Sequence, residues 1–302
     1  MSTAFLFAGQ GSQKVGMGVD LAAACDDCRT TMTSADTALG FALTKIMAFG
    51  PEEELNYTGH TQPAILCLSV VQARHLQSLG IQPDFFAGHS VGTYSALAAS
   101  GALDYHVGLR LVAERGRLMQ QAVPLGKGAM MAIVGLDREA VYDAVRKARS
   151  SGVVNVAAHN CPGQTVISGE VAAVEKAAEL CEEEGGGAVP LKLSVPAHSD
   201  LLTPMLPEFS RLVYDTPLAN LEKPVIDDVT GKPFHSSTAV RASLIAQITS
   251  PVLFEEGIQY LIGAGVDRFI QCGPGKSLLN LVQRIAPKVD LCTFEEAAHA
   301  KV

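Results

Sequence analysis

A short apolar run, Asp84–Gly88, passes without a linker into Gly88-His89-Ser90-Val91-Gly92 and on into the alanine-rich stretch Val91–Ser100, closed by Gly101. The run has the length of a buried strand and the alanine-rich stretch that of a helix, so the order reads as a strand turning sharply into a helix. Glycines on both flanks of the turn let neighbouring backbone approach without meeting a Cβ. The same alternation recurs elsewhere. Ala4–Ala8 reads as a buried strand, followed by the turn Gly9-Gln10-Gly11-Ser12-Gln13 and a helix, while Pro63–Leu79 reads as a long helix stopped by Gly80. Short strands alternating with helices predict an α/β fold.

The pattern changes near Gly128. Ala129–Val134 reads as a strand, Arg138–Arg149 as a helix, Val153–His159 and Gln164–Ser168 as strands, Glu170–Glu184 as a helix and Ala188–Leu193 as a last strand. That is the β-α-β-β-α-β order of a ferredoxin-like unit. It begins after Pro124-Leu125-Gly126 and closes near Pro196. We therefore expect a large α/β-hydrolase-like subdomain, residues 1–126 and 196–302, with an inserted ferredoxin-like small subdomain, residues 127–195. Phe269–Cys272, ahead of Gly273-Pro274-Gly275, is expected to be a strand of the large part.

Composition narrows the function classes. At 302 residues, 48% hydrophobic and 18% charged, the chain can bury a sizeable core. A net charge of −8 argues against a nucleic-acid partner. No stretch approaches the roughly 18 apolar residues of a membrane span, and Ala4–Ala8 is too short for the core of a signal peptide. Seven cysteines, an odd and scattered number, suit a reducing compartment, so a cytoplasmic protein is expected. Cys25 and Cys28 form a C-x-x-C with no second pair in a helical-looking stretch, and read as two helix cysteines with no redox or metal role. Gly9-Gln10-Gly11 is not a dinucleotide fingerprint, because Lys14 stands where the third glycine belongs, and no Gly-Lys-Ser/Thr follows for a P-loop. Neither a cofactor nor a metal is expected.

Chemistry centres on Ser90. A serine on a strand-to-helix turn is lifted out of the sheet as in a nucleophile elbow, and the helix behind it offers free N–H groups and the positive dipole end to a developing oxyanion. Its hydroxyl needs a base, and seven histidines besides His89 compete. His89 adjoins the nucleophile, with its ring expected on the opposite side of the turn. His60, His75 and His106 lie on helices or loops and His299 in a tail. His159 falls on a strand of the insert, and His198, in Ser194-Val195-Pro196-Ala197-His198-Ser199, falls where the insert rejoins the large part, a natural cleft wall. Pattern alone leaves the choice open. Arg115 by itself, on the helical stretch Gly108–Gln121, reads as a solvated surface charge.

Five segments together resemble the malonyl-CoA:acyl-carrier-protein transacylases of fatty-acid synthesis and the acyltransferase domains of polyketide synthases. They are Phe7-Ala8-Gly9-Gln10-Gly11-Ser12-Gln13, Gly88-His89-Ser90-Val91-Gly92, Arg115-Gly116-Arg117-Leu118-Met119-Gln120, Ser194 to His198, and Gly273-Pro274-Gly275. The resemblance runs in order to about residue 285 and takes in Asn160-Cys161-Pro162-Gly163-Gln164. It implies ping-pong transfer of malonyl from malonyl-CoA, through an ester on Ser90, to the phosphopantetheine thiol of an acyl carrier protein. It implies His198 as base, oriented by the backbone carbonyl of Gln247 rather than by a carboxylate. Gln10 and the backbone N–H groups of Gln10 and Val91 would bind the oxyanion, Arg115 would hold the malonate carboxylate, and Asn160, with His89 beside the nucleophile, would contact substrate. A monomer is expected. Two residues depart from the pattern: Ala197 stands where many relatives carry phenylalanine, which puts exclusion of methylmalonyl in doubt, and Val91 stands where leucine is common. An α/β-hydrolase-type esterase or thioesterase is the alternative and requires a triad carboxylate. A non-catalytic docking subunit is a third reading. Lys276, Arg284 and Lys288 are candidates for a local basic patch that docks the acidic carrier.

Overall fold

The computed structural model describes residues 2–193 and 195–300, so the Ser194 end of the histidine block lies outside the described residues. The strands are β1 (Ser2–Phe7), β2 (Phe85–Gly88), β3 (Gly128–Val134), β4 (Val154–Cys161), β5 (Gln164–Glu170), β6 (Gly187–Pro190), β7 (Val225–Asp227), β8 (Lys232–Pro233), β9 (Val252–Leu253), β10 (Val266–Cys272) and β11 (Asp290–Thr293). They form a six-stranded sheet in the order β11-β10-β1-β2-β7-β8 and a five-stranded sheet in the order β6-β3-β5-β4-β9. The fold is mixed α/β.

The first sheet is parallel from β11 through β7, and β8 returns antiparallel. Parallel strands need both faces covered, and β1 shows it. Phe5 and Phe7 point into one apolar cluster with Phe86 and the buried helix Thr58–Ser78, while Ala4 and Leu6 point into another with Ala87, Phe254 and Leu278. Registration then sets the site. Phe7 pairs with Gly88 on one side and Cys272 on the other, so three strands end at one level. The loops after their carboxyl ends emerge side by side, where open α/β sheets bind ligands.

In the second sheet, β3, β4, β5 and β6 pair antiparallel. The helices Arg138–Ala148 and Val171–Glu183 cover one face through Val141, Val145, Val174 and Ala177. The other face, through Met130, Ala132, Ala157 and Val166, joins the cluster that holds Leu6 and Leu278. β9 extends this sheet parallel to β4, with Ala158 opposite Val252. The sheet therefore takes a strand from beyond residue 195, and this two-residue strand is too short to show a period-2 signal in sequence.

Three glycines set the packing that positions the site. A Cβ on Gly88 would lie 2.0 Å from the Gly92 carbonyl carbon, and one on Gly92 would lie 2.1 Å from the Phe7 carbonyl oxygen. A Cβ on Gly116 would lie 2.4 Å from the Thr58 carbonyl oxygen, so the helix Tyr105–Ala122 crosses close to Thr58–Ser78 and carries Arg115 inward. The long helix begins at Thr58, five residues before Pro63, because the turn ahead of the proline is buried and helical. Cys25 and Cys28 do not lie within one helix: they are joined as a disulfide, and Cys25, in extended backbone, ends the helix Val19–Ala24 and caps Asp26–Leu39. The expectation of two helix cysteines is corrected accordingly.

Gly92→Ala should lower stability by about 3 kcal/mol or more, or prevent folding, since the new methyl meets backbone that cannot give way. Gly263→Ala, where a Cβ would meet nothing within 4 Å, should be neutral or stabilising by up to about 1 kcal/mol. Urea unfolding of both variants beside the parent chain checks the contrast, and equal effects would reject the packing argument.

Candidate active site

Ser90 takes φ 55° and ψ −113°, directly ahead of the helix Val91–Ala99. A non-glycine residue at positive φ carries strain of about 1–3 kcal/mol, and persists only where its surroundings fix it. Here the Gly88–Gly92 contact and two hydrogen bonds fix it. The Ser90 N–H donates to Asp228 Oδ2 at 2.8 Å, and Gln247 Nε2 donates to the Ser90 carbonyl at 3.2 Å. Ser90 is 9% exposed and opens on a cavity of about 450 Å³, within the usual range for a small-molecule site.

The Ser90 hydroxyl lies 2.8 Å from His198 Nε2. On the far side of the ring, Nδ1 faces the carbonyl oxygens of Gln247 at 2.8 Å and Ser250 at 3.1 Å. Carbonyls only accept, so Nδ1 carries the hydrogen and Nε2 keeps the lone pair that can take the serine proton. His198 also sits at positive φ, 59°. Burial, reinforced by the Arg115 charge and by the neighbouring His89, pushes its pKa down to about 3. The ring is therefore neutral, and basic at Nε2, across the physiological range. Among the described residues no carboxylate orients it. Asp200 accepts instead from Asn155 Nδ2 at 2.9 Å. His159, the competing candidate, faces the Tyr142 hydroxyl at 3.0 Å, and burial with Arg138 nearby lowers its pKa to about 4.

Arg115 is not a surface charge: it is 1% exposed. Its Nη1 donates to Gln62 Oε1 at 2.8 Å, and its Nη2 donates to Gln247 Oε1 at 3.1 Å and to the Ser90 hydroxyl at 3.3 Å. The guanidinium lies 5.4 Å from the Tyr94 ring centroid, and Nε has no partner among the described residues. Amide oxygens, a hydroxyl and a π face hold this cation, with no paired carboxylate among the described residues. A buried charge left so is costly unless an anion joins it.

Gln247 joins all of these groups. Its backbone carbonyl holds His198, its Oε1 accepts from Arg115, and its Nε2 donates to both Asp228 oxygens at 2.8 and 2.9 Å. Asp228 lies just past the end of β7 and escaped the sequence reading, because a three-residue strand that ends in Asp227 and is followed by one more acid gives no motif. Burial raises its pKa to about 7, although the Gln247 and Ser90 donors pull the other way. Gln62 and Tyr94 were also missed, since nothing local marks a helix residue that touches a distant arginine.

His89 corrects another expectation: its ring does not point away from the site but lines the same cavity, with Nε2 2.9 Å from Asn160 Oδ1. Burial lowers its pKa, so it too is neutral. Asn160 reaches the cavity from β4 and donates to Gln164 Oε1 at 3.3 Å. Gln10 lines the cavity after β1, its side chain donating to Thr58 Oγ1 at 3.3 Å. Val91 is the first residue of its helix, so its N–H lies outside the helical ladder and beside Ser90. The structure thus brings Ser90, His198, Gln10, Arg115, Asn160 and His89 to one cleft, with Gln247 buried behind Ser90, His198 and Arg115 and Val91 buried next to Ser90. The helix Ser277–Ile285 forms part of the cleft's lining through Leu278 and Leu281. Lys276, Arg284 and Lys288 are exposed on and around that helix, and Arg284 donates to the Pro162 carbonyl at 2.8 Å.

Such a site can activate a serine, hold an oxyanion on backbone amides and pair a substrate anion with a buried guanidinium. Comparison with known proteins agrees with this geometry. Residues 4–293 match the family described as acyl transferase domain. The malonyl CoA-acyl carrier protein transacylase of Bacillus subtilis strain 168 is 42% identical over 284 residues, 93% of this chain and 90% of that protein. A solved acyl carrier protein S-malonyltransferase from Vibrio cholerae superposes with a TM-score of 0.93 at 41% identity, covering 97% of this chain and 96% of that one. A malonyl-transacylase solved in complex with a type II polyketide acyl-carrier protein superposes with a TM-score of 0.93 at 39% identity, over 97% and 95% of the two chains. The chain belongs to the acyl transferase domain family, alongside malonyl CoA-acyl carrier protein transacylases.

Proposed function

We propose that this chain transfers malonyl from malonyl-CoA to the phosphopantetheine thiol of an acyl carrier protein by a ping-pong mechanism. The observation that carries the reading is Arg115, a buried cation with no carboxylate partner among the described residues, 3.3 Å from the Ser90 hydroxyl. The free carboxylate of a malonyl group supplies the missing anion through a bidentate contact that lysine cannot copy. His198 Nε2 takes the Ser90 proton as Oγ attacks the thioester carbonyl. The oxyanion is received by the N–H groups of Gln10 and Val91. Collapse expels the coenzyme A thiolate, which takes the proton back from His198, and leaves the malonyl ester on Ser90. The carrier's thiol then gives its proton to His198 and attacks that ester; the Ser90 ester bond breaks, and His198 returns the proton to Ser90 Oγ as the malonyl thioester leaves. Asn160 and His89 contact the acyl group or the pantetheine arm at the cavity wall.

We read the six-stranded sheet with its helices as the α/β-hydrolase-like subdomain, and β3 to β6 with their two helices as the ferredoxin-like subdomain, residues 127–195. Lys276, Arg284 and Lys288 lie where a carrier's acidic surface could approach the mouth. Ala197 lines the cavity beside His198, and its methyl leaves room for an α-methyl on the acyl group. The chemistry needs no cofactor. We place the protein in the cytoplasm as a monomer, and among the described residues no helix is long and apolar enough to cross a membrane. The hydrolase reading is weaker, because backbone carbonyls occupy the position a triad carboxylate would take.

Two measurements test the proposal. Arg115→Ala should lose at least about a hundredfold in malonyl transfer, equivalent to roughly 2.7 kcal/mol. Acetyl transfer should hold or rise, and Arg115→Lys should recover only part of the loss. The readout is the malonyl-to-acetyl ratio of kcat/KM, and an unchanged ratio would sink the reading. The second is pH dependence. Because the His198 pKa is lowered, the base is lost only as pH falls toward about 3. Ser90 malonylation, followed by intact-protein mass, should therefore show no loss attributable to His198 between pH 6.5 and pH 5. A histidine at its ordinary value would lose about sixteenfold over that range. Such a loss, abolished neither in Asp228→Asn nor in His89→Gln, would show that His198 is not held neutral.

A further inference from the structure

Acyl transfer makes no use of the cluster around Cys25. Cys25 stands in extended backbone, φ −141° and ψ 109°, between the helices Val19–Ala24 and Asp26–Leu39. The Cys28 N–H donates to Cys25 Sγ at 3.1 Å, so the Cys25 sulfur caps the second helix. The two Cα atoms are 5.2 Å apart and the sulfurs are joined. His75, on the helix Thr58–Ser78, places Nδ1 3.7 Å from Cys25 Sγ. Cys25 is partly exposed and Cys28 is 4% exposed, whereas Cys67, Cys161, Cys181, Cys272 and Cys292 are all buried and free.

We propose that Cys25 and Cys28 form a thiol–disulfide exchange site whose substrates are low-molecular-weight disulfides, with Cys25 as attacking and Cys28 as resolving thiol. The Cα separation admits a bridge without backbone movement. An amide donor and a helix N-terminus both favour negative charge on the Cys25 sulfur, the reactive form. His75 can receive the proton that Cys25 loses. Burial of Cys28 gives the order: an external disulfide reaches Cys25 first.

The steps balance. Cys25 passes its proton to His75, and the thiolate attacks one sulfur of R–S–S–R. A Cys25–S–S–R bond forms, and RS⁻ leaves and is protonated to RSH. Cys28 then loses its proton and attacks the Cys25 sulfur. The Cys25–Cys28 bond forms, and the second RS⁻ leaves and is protonated. Two protein thiols are oxidised and one external disulfide is reduced to two thiols; an external dithiol runs the sequence backwards. Charge sets the preferred reagent. Asp26 and Asp27, between the two cysteines, are exposed, Asp26 is paired with Arg29 while Asp27 has no ion-pair partner among the described residues, and the chain carries −8 overall. A cationic disulfide is therefore favoured over an anionic one.

The test uses the full chain, reduced, and needs no activity assay. It is incubated with cystamine or glutathione disulfide, and its thiols are counted by alkylation and mass spectrometry. The parent chain should lose two of its seven alkylatable cysteines, with Cys25 and Cys28 recovered as one cross-linked peptide and no retained adduct. Cys28→Ser should retain one cysteamine or glutathione adduct, on Cys25, and Cys25→Ser should retain none. Cystamine should outpace glutathione disulfide by about tenfold at low salt, with the gap closing as salt rises. His75→Gln should slow the adduct on Cys28→Ser by about tenfold. The proposal is overturned if the parent chain keeps all its thiols, if the adduct settles on Cys28 and not on Cys25, or if the reduced protein holds stoichiometric zinc that must be chelated before any reaction. The parent-chain count and peptide map stand even if a variant fails to fold.

Discussion

Two backbones meet with no side chain between them, and the site depends on that contact. Gly88 and Gly92 bring the end of β2 and the start of its helix against Phe7, leaving no space for a Cβ at either glycine. Because Phe7 pairs with Gly88, β1 and β2 stop together, and the Gly9-Gln10 and His89-Ser90 turns leave side by side. The His89 N–H donates back to the Phe7 carbonyl at 3.1 Å, which locks the two turns. A strained serine is stable only on such a base. The unfavourable φ at Ser90 is distributed over the close packing and over the Asp228 and Gln247 hydrogen bonds, so the hydroxyl is aimed before any substrate arrives.

Gln247 makes the second constraint. A carboxylate at its position would neutralise Arg115 and raise the basicity of His198 at once. The residue does neither: its two carbonyl oxygens accept from Arg115 and His198 and its amide nitrogen donates to Asp228, all while contributing no charge. Arg115 remains a cation short of an anion, and His198 remains neutral. Gly116 is the less visible partner in this arrangement, because only a residue without Cβ lets the helix pass within reach of the Thr58 carbonyl and bring Arg115 under Ser90.

Much of this was legible in the sequence, and the limits have physical causes. The elbow is local: strand, glycine, serine, glycine and helix lie within about a dozen residues, so Ser90 could be read directly. The small sheet was legible for the same reason, its β3 to β6 and their two helices following one another directly in the chain. Arg115 was not legible from helical periodicity, which gives an arginine no sign of burial; only the order of motifs shared with a known family pointed inward. Asp228 meets Ser90 across 138 residues, and Gln62 and Tyr94 meet Arg115 across 53 and 21, and such contacts leave no local trace. Cys25 hid for a different reason. The break between its two helices falls at a residue with neither glycine nor proline beside it, so the chain there resembled one continuous helix.

Recognition and basicity are coupled through Arg115. Burial is the main cause that holds the His198 pKa near 3, and the Arg115 charge is the second. A malonyl carboxylate paired with the guanidinium would cancel much of that second contribution, and the base would strengthen when the right acyl group is in place. An acyl group without a carboxylate leaves the cation exposed to His198 and the base weak. The same contact that binds malonyl would then also adjust the group that activates Ser90, so discrimination enters the chemical step as well as binding. A hydrolase triad cannot work in this way, because its own carboxylate already stabilises the protonated imidazole whatever the substrate carries.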